Sequence, residues 1–207
     1  MNEKPILFNS EMVQAILSGR KTQTRRIIKL PLIDKNMGCE LAGNELAGEV
    51  NAGDYRNCPL GKPGDQLWVR ECFSDLEDFD FFNPSVPDVI SDYWYWADGN
   101  PEWGNWTKPK PSIHMPRRAS RINLLITGVR VERLNDISDA DALAEGVDAD
   151  YLAESQDHYD CIADHNMTGR PTAKGYFSSL WQSIYGEESW EANPWVWVIE
   201  FERMEAK

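Results

Sequence analysis

The chain has 207 residues, 42% apolar and 27% charged, which is enough to bury one core and too balanced for a disordered chain. Its 21 Lys and Arg against 34 Asp and Glu leave a net charge of −13, which excludes duplex binding driven by overall charge but not a local basic pocket. No apolar run reaches the roughly 18 residues of a membrane span, the N-terminus does not read as an export signal, and the four Cys show no CxxC spacing, so a cytoplasmic protein with free thiols and no membrane partner is expected.

Residues Ser10 to Ser18 are predicted helical. Met12, Val13, Ile16 and Leu17 recur at helical spacing, Ser10 is in place to cap, and Gly19 sits where a left-handed residue ends a helix. The Thr and Ile content of 20–28 predicts an extended segment. Residues 31–60 are Gly- and Asn-rich with weak periodicity and read as a loop or insertion. A turn at Gly61 to Asp65 leads into a strand from Gln66 to Glu71, with Leu67 and Val69 on one face. Residues 74–111 are long, irregular, acidic and aromatic, and include Tyr93-Trp94-Tyr95-Trp96, Trp103 and Trp106. These rings either stack on a base or form a small core for an insertion.

Arg121 to Leu134 is the best long strand, with a bulge predicted at Gly128, where the alternation changes phase. Ser138 caps a short helix from Asp139 to Glu145 that Gly146 ends. Residues 148–171 are polar and acidic, a further insertion. Thr172 to Tyr185 is an amphipathic helix with Phe177, Leu180, Trp181 and Ile184 on one face. Pro194 to Arg203 alternates as a strand, Trp195, Trp197, Ile199 and Phe201 against Val196, Val198, Glu200 and Glu202. Strands do not alternate regularly with long helices, and no glycine-rich phosphate loop follows a strand. The fold class is therefore α+β: a small mixed β-barrel with short flanking helices and long loop insertions.

The densest chemistry lies in Gly19-Arg20-Lys21-Thr22-Gln23-Thr24-Arg25-Arg26, four cations and two hydroxyls within seven residues. Such a cluster can hold a phosphate or carboxylate through charge-assisted hydrogen bonds. A Lys beside a Thr hydroxyl can also act as general base if burial or neighbouring cations depress its pKa. The plain alternative is a solvated basic strand. A second basic cluster, His114-Met115-Pro116-Arg117-Arg118-Ala119-Ser120-Arg121, leads into the long strand and either adds phosphate or sugar contacts or is a surface turn. Glu145, at a helix C-terminus where the dipole gives it nothing, is a candidate for proton transfer, although an exposed Glu is the commoner outcome. His158, Cys161 and His165 lack a fourth soft ligand and match no standard zinc spacing, so no metal and no other cofactor is assigned.

The Gly19 to Arg26 run after a short helix resembles the signature of the ASCH domain, a PUA-like small barrel. Pro63-Gly64-Asp65-Gln66-Leu67-Trp68-Val69, Ala144-Glu145-Gly146 and Trp197-Val198-Ile199-Glu200-Phe201 follow in the family's order. With Val69-Arg70-Glu71, Ser112 to Arg117 and Asn193-Pro194-Trp195, the whole chain is similar to the longer ASCH proteins of phages and prophages. The resemblance implies a single domain over residues 1–207, with insertions at about 31–60, 74–111 and 148–171. It is more distant to the bacterial N4-acetylcytidine amidohydrolases, whose catalytic Lys, Thr and Glu carry over to Lys21, Thr24 and Glu145. This chain is about twice as long as theirs, and it has Arg25-Arg26 where they have an apolar residue and then Arg.

The resemblance implies action on nucleosides or RNA. One reading is metal-independent deacylation of an N4-acetylcytidine-like substrate by Lys21, Thr24 and Glu145. The other is non-catalytic binding of RNA, single-stranded nucleic acid or a modified base in a local basic cleft. In both, Arg20, Thr22, Arg25, Arg26, Arg70, Glu71, His114 and Arg117 are the expected contacts. A nuclease, or a phage accessory protein that binds a host protein through the Trp-rich insertion, completes the range.

Overall fold

A computed structural model describes residues 2–80, 83, 85–87, 90–162 and 169–205. Strand β1 (Glu3–Leu7) leads into helix α1 (Ser10–Leu17). Asn9 caps this helix instead of Ser10: its side chain accepts the Met12 N–H at 2.8 Å. Gly19, at φ +80°, turns the chain into β2 (Gln23–Ile27).

Next come the short strands β3 (Leu32–Ile33) and β4 (Glu40–Leu41), helix α2 (Gly43–Asn51), and β5 (Gln66–Arg70). The strands β6 (Phe73–Asp78), β7 (Tyr93–Tyr95) and β8 (Asn105–Trp106) follow, then the long β9 (Asn123–Arg133). Helices α3 (Asp139–Ala144), α4 (Ala149–Ile162), α5 (Ala173–Tyr185) and α6 (Glu188–Glu191) precede the last strand, β10 (Trp195–Arg203).

The main sheet runs β1-β5-β9-β10-β2. Only β1 and β5 are parallel; the other pairs are antiparallel. Between β9 and β10 the register passes from Gly128↔Glu200 to Ile126↔Phe201, which skips Thr127 beside the predicted bulge.

β10 is buried on both faces over Val196–Ile199, where both faces carry apolar residues. Trp197, Ile199 and Phe201 join the core formed with β1, β5, β9, α1 and α2. Val196 and Val198 join a second core with Phe177 and Trp181 of α5 and Ala142 of α3.

Among the described residues the barrel does not close: no ladder joins the edge strands β1 and β2. The sheet curls until its edges meet through a side chain, with Arg26 Nη2 donating to the Leu7 carbonyl at 2.6 Å. An arginine in that place leaves a gap where backbone pairing would have sealed the barrel.

The segments read as loops carry structure. In 31–60, α2 buries Leu46 and Val50 in the main core. The Glu45 carboxylate accepts the Ala42 N–H, which helps to start a helix that Gly43, Asn44 and Gly48 disfavour. In 74–111, a three-stranded sheet β7-β6-β8 carries Trp94, Trp103 and Trp106 packed on one another, ring centroids 5.7 and 4.9 Å apart. Trp94 and Trp106 donate their N–H groups to the Gly99 and Trp103 carbonyls, and the buried cluster beside this sheet is Phe73, Met115 and Ala119, with Tyr93 and Tyr95 packed against it. In 148–171, α4 occupies 149–162.

Cys39, Cys58, Cys72 and Cys161 are free thiols. No helix among the described residues is long and apolar enough to cross a membrane.

Candidate functional site

Three backbone bonds bring Lys21 to Glu145 across more than a hundred residues. The Lys21 N–H donates to Ala15 of α1, the Thr22 N–H to Ala144 of α3, and the Phe201 N–H to Thr22. Gly146 permits the approach. At φ +105° it ends α3, and a Cβ there would stand 3.1 Å from Ala15 Cβ and 3.2 Å from Lys21 Cβ.

The result is a buried ion pair. Lys21 Nζ donates to Glu145 Oε2 at 2.6 Å and to the Glu145 carbonyl at 2.8 Å. Burial pushes the Lys21 pKa below its ordinary value and outweighs the opposing pull of Glu145; Arg26 and Arg25 push the same way. The Lys21 ammonium also lies 5.7 Å from the Phe8 ring centroid.

Thr24 is buried on β2, the free edge of the sheet. Among the described residues no hydrogen bond engages its hydroxyl. Lys21, Thr24 and Glu145 line one cavity of about 240 Å³. Phe8, Phe177, Trp181 and Tyr185 give it aromatic walls, and Leu7, Ile184 and Tyr185 form an exposed apolar rim. The Leu180 and Ile184 end of the amphipathic face of α5 thus lines this cavity, while Phe177 and Trp181 also reach the core. An aromatic box with a buried Lys–Glu pair suits a flat polar ring that carries a carbonyl.

Arg25 also lines the cavity, but carboxylates already hold it. Its Nη1 bonds Glu145 at 3.1 Å, and its Nη2 bonds Glu132 at 2.6 Å and lies 3.5 Å from Asp141. It ties β2 to β9 and α3. Arg25 Nε and Trp181 Nε1 are buried without acceptors.

Arg26 lines the cavity on its other side and stacks 5.3 Å from the Phe8 ring centroid. It also borders a second cavity of about 570 Å³ between β1 and β2, which Arg70 lines with Lys29 and Lys35.

The other expected contacts lie elsewhere. Arg20 is exposed and pairs with Asp148 at 2.9 Å. Thr22 is exposed and lines neither cavity. Glu71 is buried in a two-pronged pair with Arg121 at 2.9 and 3.0 Å, which holds the β5–β6 junction to the segment just before β9. Burial pushes its carboxyl pKa up against the pull of Arg121. Arg117 pairs with Glu3 and Asn123. His114 is exposed outside the first cavity, which its neighbour Ser112 borders.

The aromatic walls were readable only as core positions, and Lys29 and Lys35 carry no local signal. Among the described residues no group of His, Cys, Asp or Glu is placed to hold a metal; His165 lies outside them.

No protein-family model and no curated protein matches the chain. Two solved structures resemble it. One is a protein from Enterococcus faecalis V583 assigned to the family model DUF984, 13% identical, with a TM-score of 0.38 over 99% of this chain and 80% of that one. The other is an ASCH domain from Lactobacillus crispatus JV V101, 14% identical, with a TM-score of 0.36 over 98% and 79%.

Proposed function

We propose that the chain is an ASCH-type amidohydrolase that removes the acyl group from an N4-acylated cytosine without a metal. The observation that carries this reading is the buried Lys21–Glu145 pair on the wall of the cavity that Thr24 also lines. Thr24 Oγ attacks the acyl carbon and passes its proton to the Lys21 amine, whose pKa burial lowers. The C–N bond breaks, the leaving amine takes a proton through Glu145, and water then hydrolyses the Thr24 ester to release the acid. The amide and one water become an amine and a carboxylic acid.

The test is an end-point assay against N4-acetylcytidine, its deoxy form and a small panel of N4-acyl cytosines. Turnover that vanishes in Thr24→Ala and Lys21→Ala, with unchanged circular dichroism, is expected. Full activity in both variants sinks the mechanism.

One observation favours a second reading, binding of the same base without chemistry. Lys21 donates to Glu145 twice, and no Lys21–Thr24 hydrogen bond is formed. Catalytic hydrogen bonds are often loose before substrate arrives, so this geometry does not decide against catalysis. No turnover on any panel member, with retained binding of cytidine, moves the reading to a base-binding module.

A further inference from the structure

We infer that the cavity between the edge strands β1 and β2 holds the phosphate of a nucleotide whose base occupies the Lys21–Glu145 cavity. The inference rests on the base-binding reading above and extends it from a nucleoside to a phosphorylated ligand.

The first argument is size. The base cavity, about 240 Å³, falls below the roughly 300–1,000 Å³ common for ligand sites. It suits a ring and an acyl group and leaves a sugar and phosphate to lie beyond its mouth. What adjoins it is the second cavity, about 570 Å³, and the two share Leu7 and Arg26 on their walls.

The second argument is charge. Arg26, Lys29, Lys35 and Arg70 line the second cavity, and no Asp or Glu does. In a chain with 34 acidic and 21 basic residues, that segregation needs a reason. Elsewhere some cations pair with carboxylates, as Arg20, Lys21, Arg25, Arg117 and Arg121 do, while others, such as Lys4, Arg133 and Arg203, donate to backbone carbonyls. None of the four that line the cavity has a carboxylate partner among the described residues. Arg26 donates to the Leu7 carbonyl, Lys35 to the Arg56 carbonyl at 2.7 Å, and Arg70 to the Ile113 carbonyl. Arg70 Nε is buried with no acceptor at all. Lys29 is exposed, and no hydrogen bond or ion pair among the described residues engages it.

Bonds to neutral carbonyls leave the positive charge uncompensated, and a buried guanidinium N–H without an acceptor is costly. A phosphate supplies several acceptor oxygens and matches a guanidinium in two-pronged geometry. Apolar walls from Leu7, Ile28, Leu32 and Trp197 lower the local dielectric and strengthen such bonds.

The experiment is a calorimetric titration of cytidine and cytidine 5′-monophosphate into the protein and into a Lys29→Ala/Lys35→Ala double variant. Both lysines are exposed, and circular dichroism checks that the variant folds. The monophosphate is expected to bind about tenfold more tightly than cytidine, and the double variant to lose most of that advantage. Equal affinity for the two ligands, or an advantage that survives in the variant, overturns the inference.

A single-stranded oligonucleotide with one cytosine separates the two sources of phosphate. Tighter binding than the monophosphate assigns the cavity to a chain phosphodiester, and weaker binding to a terminal monoester; both keep the inference. The amidohydrolase reading fails separately: a phosphate advantage without turnover leaves this inference standing, and turnover without a phosphate advantage leaves only the other.

Discussion

Glu145 holds two buried cations, Lys21 at 2.6 Å and Arg25 at 3.1 Å, and their dependence on it is unequal. Arg25 keeps Glu132 and Asp141 if Glu145 is lost, whereas Lys21 keeps only a backbone carbonyl. Conversely, Glu145 keeps Arg25 if Lys21 is lost. Breaking a buried pair from the side that leaves an uncompensated charge is the costly direction. Glu145→Gln is therefore expected to destabilise the fold by about 3–5 kcal/mol at neutral pH, and Lys21→Met by clearly less. Urea denaturation of both variants measures this. Equal losses would mean that Arg25 does not sustain Glu145 once Lys21 is gone, and that the three groups act as one unit.

At the scale of elements, the apolar residues of α5 serve two tasks, Phe177 and Trp181 taking part in both. Phe177 is 4% exposed and packs with Trp181 against Val196 and Val198. Ile184, at the other end of the same helix, is 45% exposed on the cavity rim. Phe177→Ala should cost about 3–5 kcal/mol of stability. Ile184→Gln should stay within about 0.5 kcal/mol, yet weaken binding of cytidine. Thermal melts and a binding isotherm on the two variants separate the roles; unchanged affinity in Ile184→Gln would remove the rim from the site.

The elements legible in the sequence share a physical signature. α1, α3 and α5 have side-chain caps or flanking glycines, and β9 and β10 alternate over nine or more residues. α2 escaped because Gly43, Asn44 and Gly48 mask its periodicity and its cap is a backbone N–H held by Glu45. Of the candidate site, Lys21 lay in the densest basic run and Glu145 at an unfavourable helix end, Thr24 was singled out only through the family resemblance, and Gly146 was legible only as the end of α3. The aromatic walls did not stand out, because a helix face looks the same in sequence whether it meets a core or a cavity. Nor did the grouping of Arg26, Lys29, Lys35 and Arg70, which comes only from the curl that brings the two edges of the sheet together.

For the whole molecule, the proposed phosphate cavity is a small positive site within a field of opposite sign. The net charge is −13, so at long range the protein repels the anion that the four cations attract at short range. Which field an approaching nucleotide feels depends on the Debye length. At about 0.01 M salt that length is roughly 30 Å, and the whole acidic surface acts on the ligand. At about 0.15 M it is roughly 8 Å, and little beyond the cavity itself is felt. The association rate of cytidine 5′-monophosphate should therefore rise as salt increases over this range. Above it the rate should fall, as salt begins to screen the cavity's own cations. Stopped-flow fluorescence of the Trp residues can follow the rate. A rate that falls monotonically with salt from about 0.01 M would mean that the local cations dominate at every distance. A rate that rises and never falls at higher salt would mean that the phosphate does not approach the cations of the cavity between β1 and β2.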